Sequence, residues 1–446
     1  MTESENPEGA PRRSFIKTTA GAAAATSVLA PNVTLRAQDD KKLKIGLIGM
    51  GGRGTGAAAD AMQADDNCEL WAVGDIYAEK IDRQLEVLQK NSGSDAAKIN
   101  VGNRKFAGLD AYRQVIDSGV DVVLLTTPPG FRPQHFEAAI EAGKHAFVEK
   151  PCATDVAGVK RFMAAGQKAK EQGLSVLCGF CYRYSDHGRE LFQDRIWNGD
   201  IGDIHSIHAS YYTGMVKPMP PASDRPAGMS DVEWQVKNWY NFTWLGGDGI
   251  VEQGIHSVDK IFWIMQDAMP IGCYCQGGRQ RPNHEGNTYD HFHAFYEFEG
   301  GIRAHVNWSQ YAGTVYKDNK DYIIGSKGQA TFSINSAEVT GDKAWKWRKP
   351  RSGAKSMYKL EHDEFFANIR KDGARHSDEE WVARSTLHGI TARMSAYSGK
   401  YLTYDDVLNS GERLVPGDDL DWNDSLPIRE MAIPGITPYP PGVEEA

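Results

Sequence analysis

Two stretches of this 446-residue chain, with one acidic residue between them, combine residue types and spacing that could do chemistry. Gly49-Met50-Gly51-Gly52-Arg53-Gly54 fits G-x-G-x-x-G at every required position. One glycine of such a turn allows the tight bend, one lets backbone N–H groups approach a pyrophosphate, and one lets helix and strand pack closely. The helix that follows then faces the phosphates with the positive end of its dipole. Asp75 lies 26 residues beyond Gly49, at the end of a second strand-like run. There its carboxylate would accept hydrogen bonds from the adenosine ribose hydroxyls and repel a 2′-phosphate. No arginine follows in Ile76-Tyr77-Ala78, so the expected cofactor is NAD, with NADP disfavoured. The second stretch carries Glu252 and His256 at i,i+4, one face of a helix. A histidine one turn from a carboxylate has a reason to titrate near neutrality, as a proton shuttle must. The spacing alone leaves open a satisfied helix N-terminus.

The elements that must position these residues follow from hydrophobic periodicity. Strand runs at 45–48, 69–73, 120–125, 145–148 and 174–178 alternate with helical patterns at 55–62, from Pro133 to Gly143, and at 155–172. That alternation argues for βαβ units and a parallel sheet, a Rossmann dinucleotide-binding domain over 38–178. In such sheets ligands bind outside the carboxyl ends of the strands. Residues 49–54, Asp75, Thr127 and Pro128, and Glu149 with Lys150 should therefore line one crevice, with His135 lining or capping it.

From 179 to 425 the pattern changes to longer alternating runs at 204–212, 272–278, 291–298, 302–308, 321–324 and 329–334. These read as an open, mostly antiparallel sheet with one face free for an interface, punctuated by helices at 255–265, 362–370 and 380–398. The fold class is α/β. A Pro-containing tail, 426–446, has no periodicity and is expected to wrap a surface.

The formal charge of −9 argues against a nucleic-acid surface, and no apolar run reaches the ~20 residues of a membrane span. Pro11-Arg12-Arg13-Ser14-Phe15-Ile16-Lys17, an alanine-rich run and a cleavage site after Leu35-Arg36-Ala37 read as a twin-arginine signal peptide over 1–37. Such signals export folded proteins, so a periplasmic location and a cofactor carried along are expected. Removing 1–37, with four basic and three acidic residues, takes the charge from −9 to −10. Six cysteines are too few for a disulfide scaffold, and Cys178-Gly-Phe-Cys181 has no second pair at zinc spacing. His291 and His293 share a strand face without a marked third ligand, so no metal is expected.

Ala142-Gly143-Lys144-His145-Ala146-Phe147-Val148-Glu149-Lys150-Pro151 closely matches A-G-K-H-x-x-x-E-K-P, a motif of the Gfo/Idh/MocA oxidoreductases. Residues 246–259 are similar to that family's G-G-G-x-x-x-D-x-G-x-H-x-x-D, with Glu252 where many members have Asp. The mature chain resembles this family essentially throughout. The resemblance implies that Lys150 hydrogen-bonds the reacting hydroxyl and stabilises its alkoxide, with His256 as acid/base supported by Glu252. It also implies substrate contacts for Arg183 and Tyr182 near the start of the second domain and for Asp259 in the motif. Trp244, with Trp234, Trp239 and Tyr240, suits a lid over sugar faces, and equally core packing. The open sheet face implies a homo-oligomer.

Three functions follow. The first is an NAD(P)-dependent oxidoreductase acting on a secondary hydroxyl of a sugar, sugar derivative or cyclitol, with tightly bound cofactor because an exported enzyme meets no free NAD pool. The second is a redox-neutral NAD-dependent glycosidase working by oxidation, elimination, hydration and reduction. The third is a non-catalytic sugar and NAD sensor.

Overall fold

Leu43, Ile45, Leu47 and Ile48 are all buried, the pattern of a central parallel strand covered on both faces. In the computed structural model residues 41–440 are described, except 282, 283, 312, 314, 372 and 374, so the expected leader lies outside the described residues. Strand β1 (Leu43–Ile48) feeds helix α1 (Gly52–Ala64), and β2 (Cys68–Asp75) follows. After it come α2 (Ala78–Asn91), β3 (Lys105–Ala107), α3 (Ala111–Asp117) and β4 (Val122–Leu125). The domain continues through α4 (Arg132–Glu141), β5 (His145–Val148), α5 (Val156–Glu171) and β6 (Val176–Cys178). The six strands are all parallel in the order β3-β2-β1-β4-β5-β6. Connections leave β1 and β4 in opposite directions, which opens a crevice between their carboxyl ends.

The expected Rossmann sheet is present, together with α2, β3 and α3, which the sequence reading left unassigned between 76 and 119. In α2, Ile81 and Leu88 are its only fully buried residues, a thin apolar stripe among charges.

The second domain is an eight-stranded sheet. Its strands are β7 (Ile204–Gly214), β8 (Gly272–Gly278), β9 (His291–Glu297), β10 (Arg303–Tyr311), β11 (Asp318–Gly325), β12 (Gly328–Ser333), β13 (Ser336–Gly341) and β14 (Trp345–Arg348). They run in the order β14-β13-β12-β11-β7-β10-β9-β8, antiparallel except for β7 beside β10. One face buries Ile207, Val306, Trp308 and Phe332. The opposite face carries His293, Tyr322 and Ile324, with His305 stacked on His208 at 4.8 Å. No helix of the described residues is long and apolar enough to cross a membrane, and no cluster among them could hold a metal. All six cysteines are buried and unpaired.

Between β7 and β8 lie α6 (Asp231–Lys237), α7 (Gly249–Glu252) and α8 (Ile255–Ile264). The expectation that Glu252 and His256 share one helix is corrected here, because Gln253 and Gly254 break it. Both their N–H groups turn back to Gly249 O, and His256 N then restarts on Gln253 O.

After the sheet the chain returns to the first domain. Helix α9 (Met357–Arg370) is capped by Ser356, and it buries Phe365, Phe366 and Ile369 in the core shared by β1 and α1. It begins five residues before the expected 362, a stretch that includes Tyr358 and Glu361. Helix α10 (Glu379–Ser398) packs on α5 and β8. A third core gathers Val232, Trp234, Phe242, Trp244 and Leu414, with Ile76 and Phe131 of the first domain, Trp422, and Leu426 of the tail against it.

In α10, His388 lies flat on Phe262 at 3.6 Å, and burial, then Arg384, pushes its pKa down to about 3. The unfolded chain, whose histidines titrate near ~6.5, binds a proton that folded His388 refuses, so this site costs stability as pH falls below that value. His388→Phe should remove that cost. Thermal or urea unfolding should show the variant gaining on wild type by up to about 1.4 kcal/mol per pH unit below pH ~6.5; a constant difference from pH 7 to 5 would refute the assignment.

Candidate active site

The glycine turn is built from close approaches. Gly49 has φ +103, and a Cβ on Gly54 would lie 1.9 Å from Gly49 O. Added Cβ atoms on Gly51 and Gly52 would meet nothing within 4 Å. These two glycines therefore leave space over the first N–H groups of α1, which have no intrahelical acceptor. Thr126 Oγ1 donates to Gly49 O at 2.7 Å and ties the turn to the end of β4. A cavity of about 880 Å³ runs along these strand ends. Its lining includes Gly49, Gly51 to Gly54, Asp75, Thr127, Pro128, His135, Glu149, Lys150, Glu252 and His256. The residues present thus fit a dinucleotide: a glycine cradle with free donors, an acidic strand end, and a long cleft.

Met50 is corrected as a cofactor contact: its side chain is buried and its N–H donates to Asp75 Oδ2 at 2.7 Å. Asp75 also accepts from Ile76 N at 2.8 Å, and Lys80 pairs with it at 2.8 Å. Its charge is therefore neutralised by a residue the sequence reading did not weigh. Arg53 is likewise committed elsewhere. Its Nε donates to Glu149 Oε1 at 2.5 Å, Glu361 lies 3.5 Å away, and Tyr358 covers the guanidinium at 4.6 Å. Its backbone N–H remains for phosphate. His135 is neutral: burial, then Arg132, drives its pKa down to about 3, and it stacks on Tyr112 at 4.1 Å. Thr127 Oγ1 lies 3.2 Å from its Nδ1.

At the other end stands Lys150, beside a cis Lys150–Pro151 bond. Its ammonium donates to Glu252 O at 2.5 Å and Glu252 Oε1 at 3.1 Å, and the two side chains are only 13% and 14% exposed. Glu252 serves Lys150, then, and the expected Glu252–His256 polarisation is corrected. Among the described residues the buried His256 Nδ1 has no hydrogen-bond partner, and the ring meets the edges of Phe180 and Tyr182. Burial, then Lys150 and Lys260, pushes the His256 pKa well below its ordinary value, so it does not titrate near neutrality. Arg132 donates to Thr127 O at 2.5 Å and to Pro151 O, clamping the Lys150 strand end to the end of β4.

The four expected substrate contacts lie off the cavity. Arg183 pairs with Asp259 at 2.9 Å and Asp267 at 2.8 Å, and Ser385 Oγ donates to Asp259 at 2.7 Å. The guanidinium lies over Trp381 at 4.2 Å, so Arg183 and Asp259 form a structural ion pair. Tyr182 is buried behind His256, with Lys260 over its ring at 4.7 Å. Trp244 is core: it donates to Gln235 Oε1 at 2.8 Å and meets Phe131 edge-on at 5.8 Å. Of the expected aromatic lid only Trp239 lines the cavity. The sequence reading missed Arg132, Tyr211, Gln253 and Tyr358, which also line it. Arg132 directly follows the predicted loop after β4 and could have been found there. The others come from distant elements, and no local signal marks them.

Residues 43–179 match an oxidoreductase family described by its NAD-binding Rossmann fold, and residues 191–331 match the GFO/IDH/MocA C-terminal domain. A 1-carboxy-3-chloro-3,4-dihydroxycyclohexa-1,5-diene dehydrogenase of Comamonas testosteroni is 28% identical over 207 residues, 46% of this chain and 45% of the relative. The chain thus spans less than half of that protein. Myo-inositol 2-dehydrogenase of Thermotoga maritima is 25% identical over 300 residues, 67% of this chain and 77% of the relative. A levoglucosan dehydrogenase solved with NADH and levoglucosan shares the fold at TM-score 0.64 and 18% identity, over 81% of this chain and 99% of that one.

Removing the Arg183 guanidinium would strand a buried carboxylate. Arg183→Met should cost about 3 kcal/mol of unfolding free energy, read by chemical denaturation, while the folded enzyme keeps its substrate KM. A rise in KM without loss of stability would return Arg183 to the substrate site.

Proposed function

The chain belongs to the Gfo/Idh/MocA oxidoreductase family, and we propose that it oxidises a secondary hydroxyl of a sugar, sugar derivative or cyclitol with NAD held in the cleft. The observation that carries this is the pairing of Lys150 with Glu252 at the cavity end that the neutral His256 also lines. Bound NAD would supply the hydride acceptor. Lys150, with two contacts to Glu252, keeps a third N–H to donate to the substrate oxygen and to stabilise it as the proton leaves. Neutral His256 is in the form that accepts that proton. The C–H electron pair leaves as hydride, the O–H proton passes to His256 and solvent, and the carbinol becomes a carbonyl. The cyclitol and sugar substrates in the relatives' names support this substrate class.

The Arg12-Arg13 leader supports export through the twin-arginine route to the periplasm, and with it a cofactor that stays bound. The exposed Tyr322 and Ile324 on the open sheet support a homo-oligomer.

Denaturing the purified mature protein should release about one NAD(H) per chain, identified by absorbance and mass. Reduction of that cofactor by a cyclitol or sugar would then support the reading. Cleavage of a glycoside with no net NADH would replace it with the redox-neutral reaction, and a protein that neither holds nor binds NAD would exclude both.

Lys150→Met should lower kcat about 10³-fold while leaving NADH binding intact. Because His256 stays neutral as pH falls through ~6.5, the acid limb of kcat/KM should lie well below that pH. A limb centred near ~6.5 would show an ordinary histidine and overturn its assigned state.

A further inference from the structure

At the cavity end away from Lys150 the wall changes domain. The first domain contributes Tyr77, Lys80 and Arg83, and the second contributes Lys217, Glu233 and Lys237. Lys217 lies on the segment leaving β7 and donates to Lys237 O at 2.7 Å, with no carboxylate in salt-bridge contact among the described residues. Burial, then repulsion from Lys80 and Lys237, pulls its pKa down to about 8. A half-enclosed ammonium beside other cations is poorly solvated and lacks a counter-charge, an arrangement that an arriving anion would relieve.

The position of Lys217 is set by its neighbours. Asn241 Nδ2 donates to Lys217 O at 3.2 Å. The third core that carries this segment is fastened to the first domain by Tyr77, whose hydroxyl donates to Glu233 Oε1 at 3.1 Å and whose ring meets Trp422 edge-on at 5.8 Å. Lys217 therefore faces the strand-β2 end of the crevice, where the adenosine half of a dinucleotide belongs.

We propose that Lys217 completes the dinucleotide site from the second domain by binding a phosphate of the adenosine half, with the third core holding it there as a clasp that slows cofactor release. This rests on the cofactor-dependent function proposed above. The phosphate is either the pyrophosphate common to NAD and NADP or the 2′-phosphate of NADP alone.

The test is the affinity and release rate of NADH and NADPH, followed by nicotinamide fluorescence, for wild type, Lys217→Met, Lys217→Arg and Trp422→Ala. Lys217→Met should weaken binding about tenfold or more, with Lys217→Arg close to wild type. Loss with both cofactors assigns the pyrophosphate, and loss with NADPH alone assigns the 2′-phosphate. Trp422→Ala should speed release. Lys217→Met binding both cofactors as wild type does would overturn the phosphate contact, and unchanged release from Trp422→Ala would overturn the clasp. Wild-type protein that binds neither cofactor would instead remove the functional reading on which both depend.

Discussion

The ion pair between Lys150 and Glu252 is the contact on which the site depends, because its partners come from different domains. A lysine at the end of β5 is mobile and well hydrated unless something holds it. Here the same residue of the second domain supplies a backbone carbonyl at 2.5 Å and a carboxylate at 3.1 Å. With both side chains mostly enclosed, water screens the attraction less than it would at a surface. The Lys150 ammonium is therefore placed only when the two domains are correctly docked.

Burial keeps the histidine neutral, and that assignment reinforces the effect. A carboxylate shared with His256 would have raised its pKa toward imidazolium and left Lys150 free. Given to Lys150 instead, it leaves the buried His256 ring beside the Lys150 and Lys260 ammonium groups, which lower its pKa further. The imidazole is neutral, and the fixed cation at this end of the cavity is a separate group. Such a separation suits a site that must hold both a proton acceptor and a fixed positive charge.

The first domain was largely legible in the sequence because its information is local. The glycine turn, the strand before it, Asp75, and the loops after β4 and β5 each carry their own pattern, and the parallel sheet brings them to one edge. What was misplaced depends on long-range partners. Arg183, Tyr182 and Asp259 lie in or near family motifs, yet Asp267 and Ser385 draw Arg183 and Asp259 into a buried network away from the cleft. Trp244 looks like a lid residue by composition, but Phe131 and Gln235 take its two ends. Tyr211, Gln253 and Tyr358 reach the cavity from β7, the helix break and α9, and nothing within a few residues of any of them signals that destination.

The helix break shows how a local irregularity becomes a functional one. Asp248 occupies φ 75, ψ 165, a conformation few residues other than glycine adopt. It is held there by accepting from Gly249 N at 2.5 Å, Tyr289 N at 2.9 Å and the Tyr397 hydroxyl. Those bonds start α7, one turn later α7 delivers Glu252, and the pause at Gln253 and Gly254 rotates His256 onto a new helix. A continuous helix would have stacked the carboxylate and the imidazole on one face, where they would pair with each other. Breaking it directs the carboxylate to Lys150 and leaves the imidazole without it, so the strained Asp248 and the Lys150–Glu252 pair are consequences of the same local geometry.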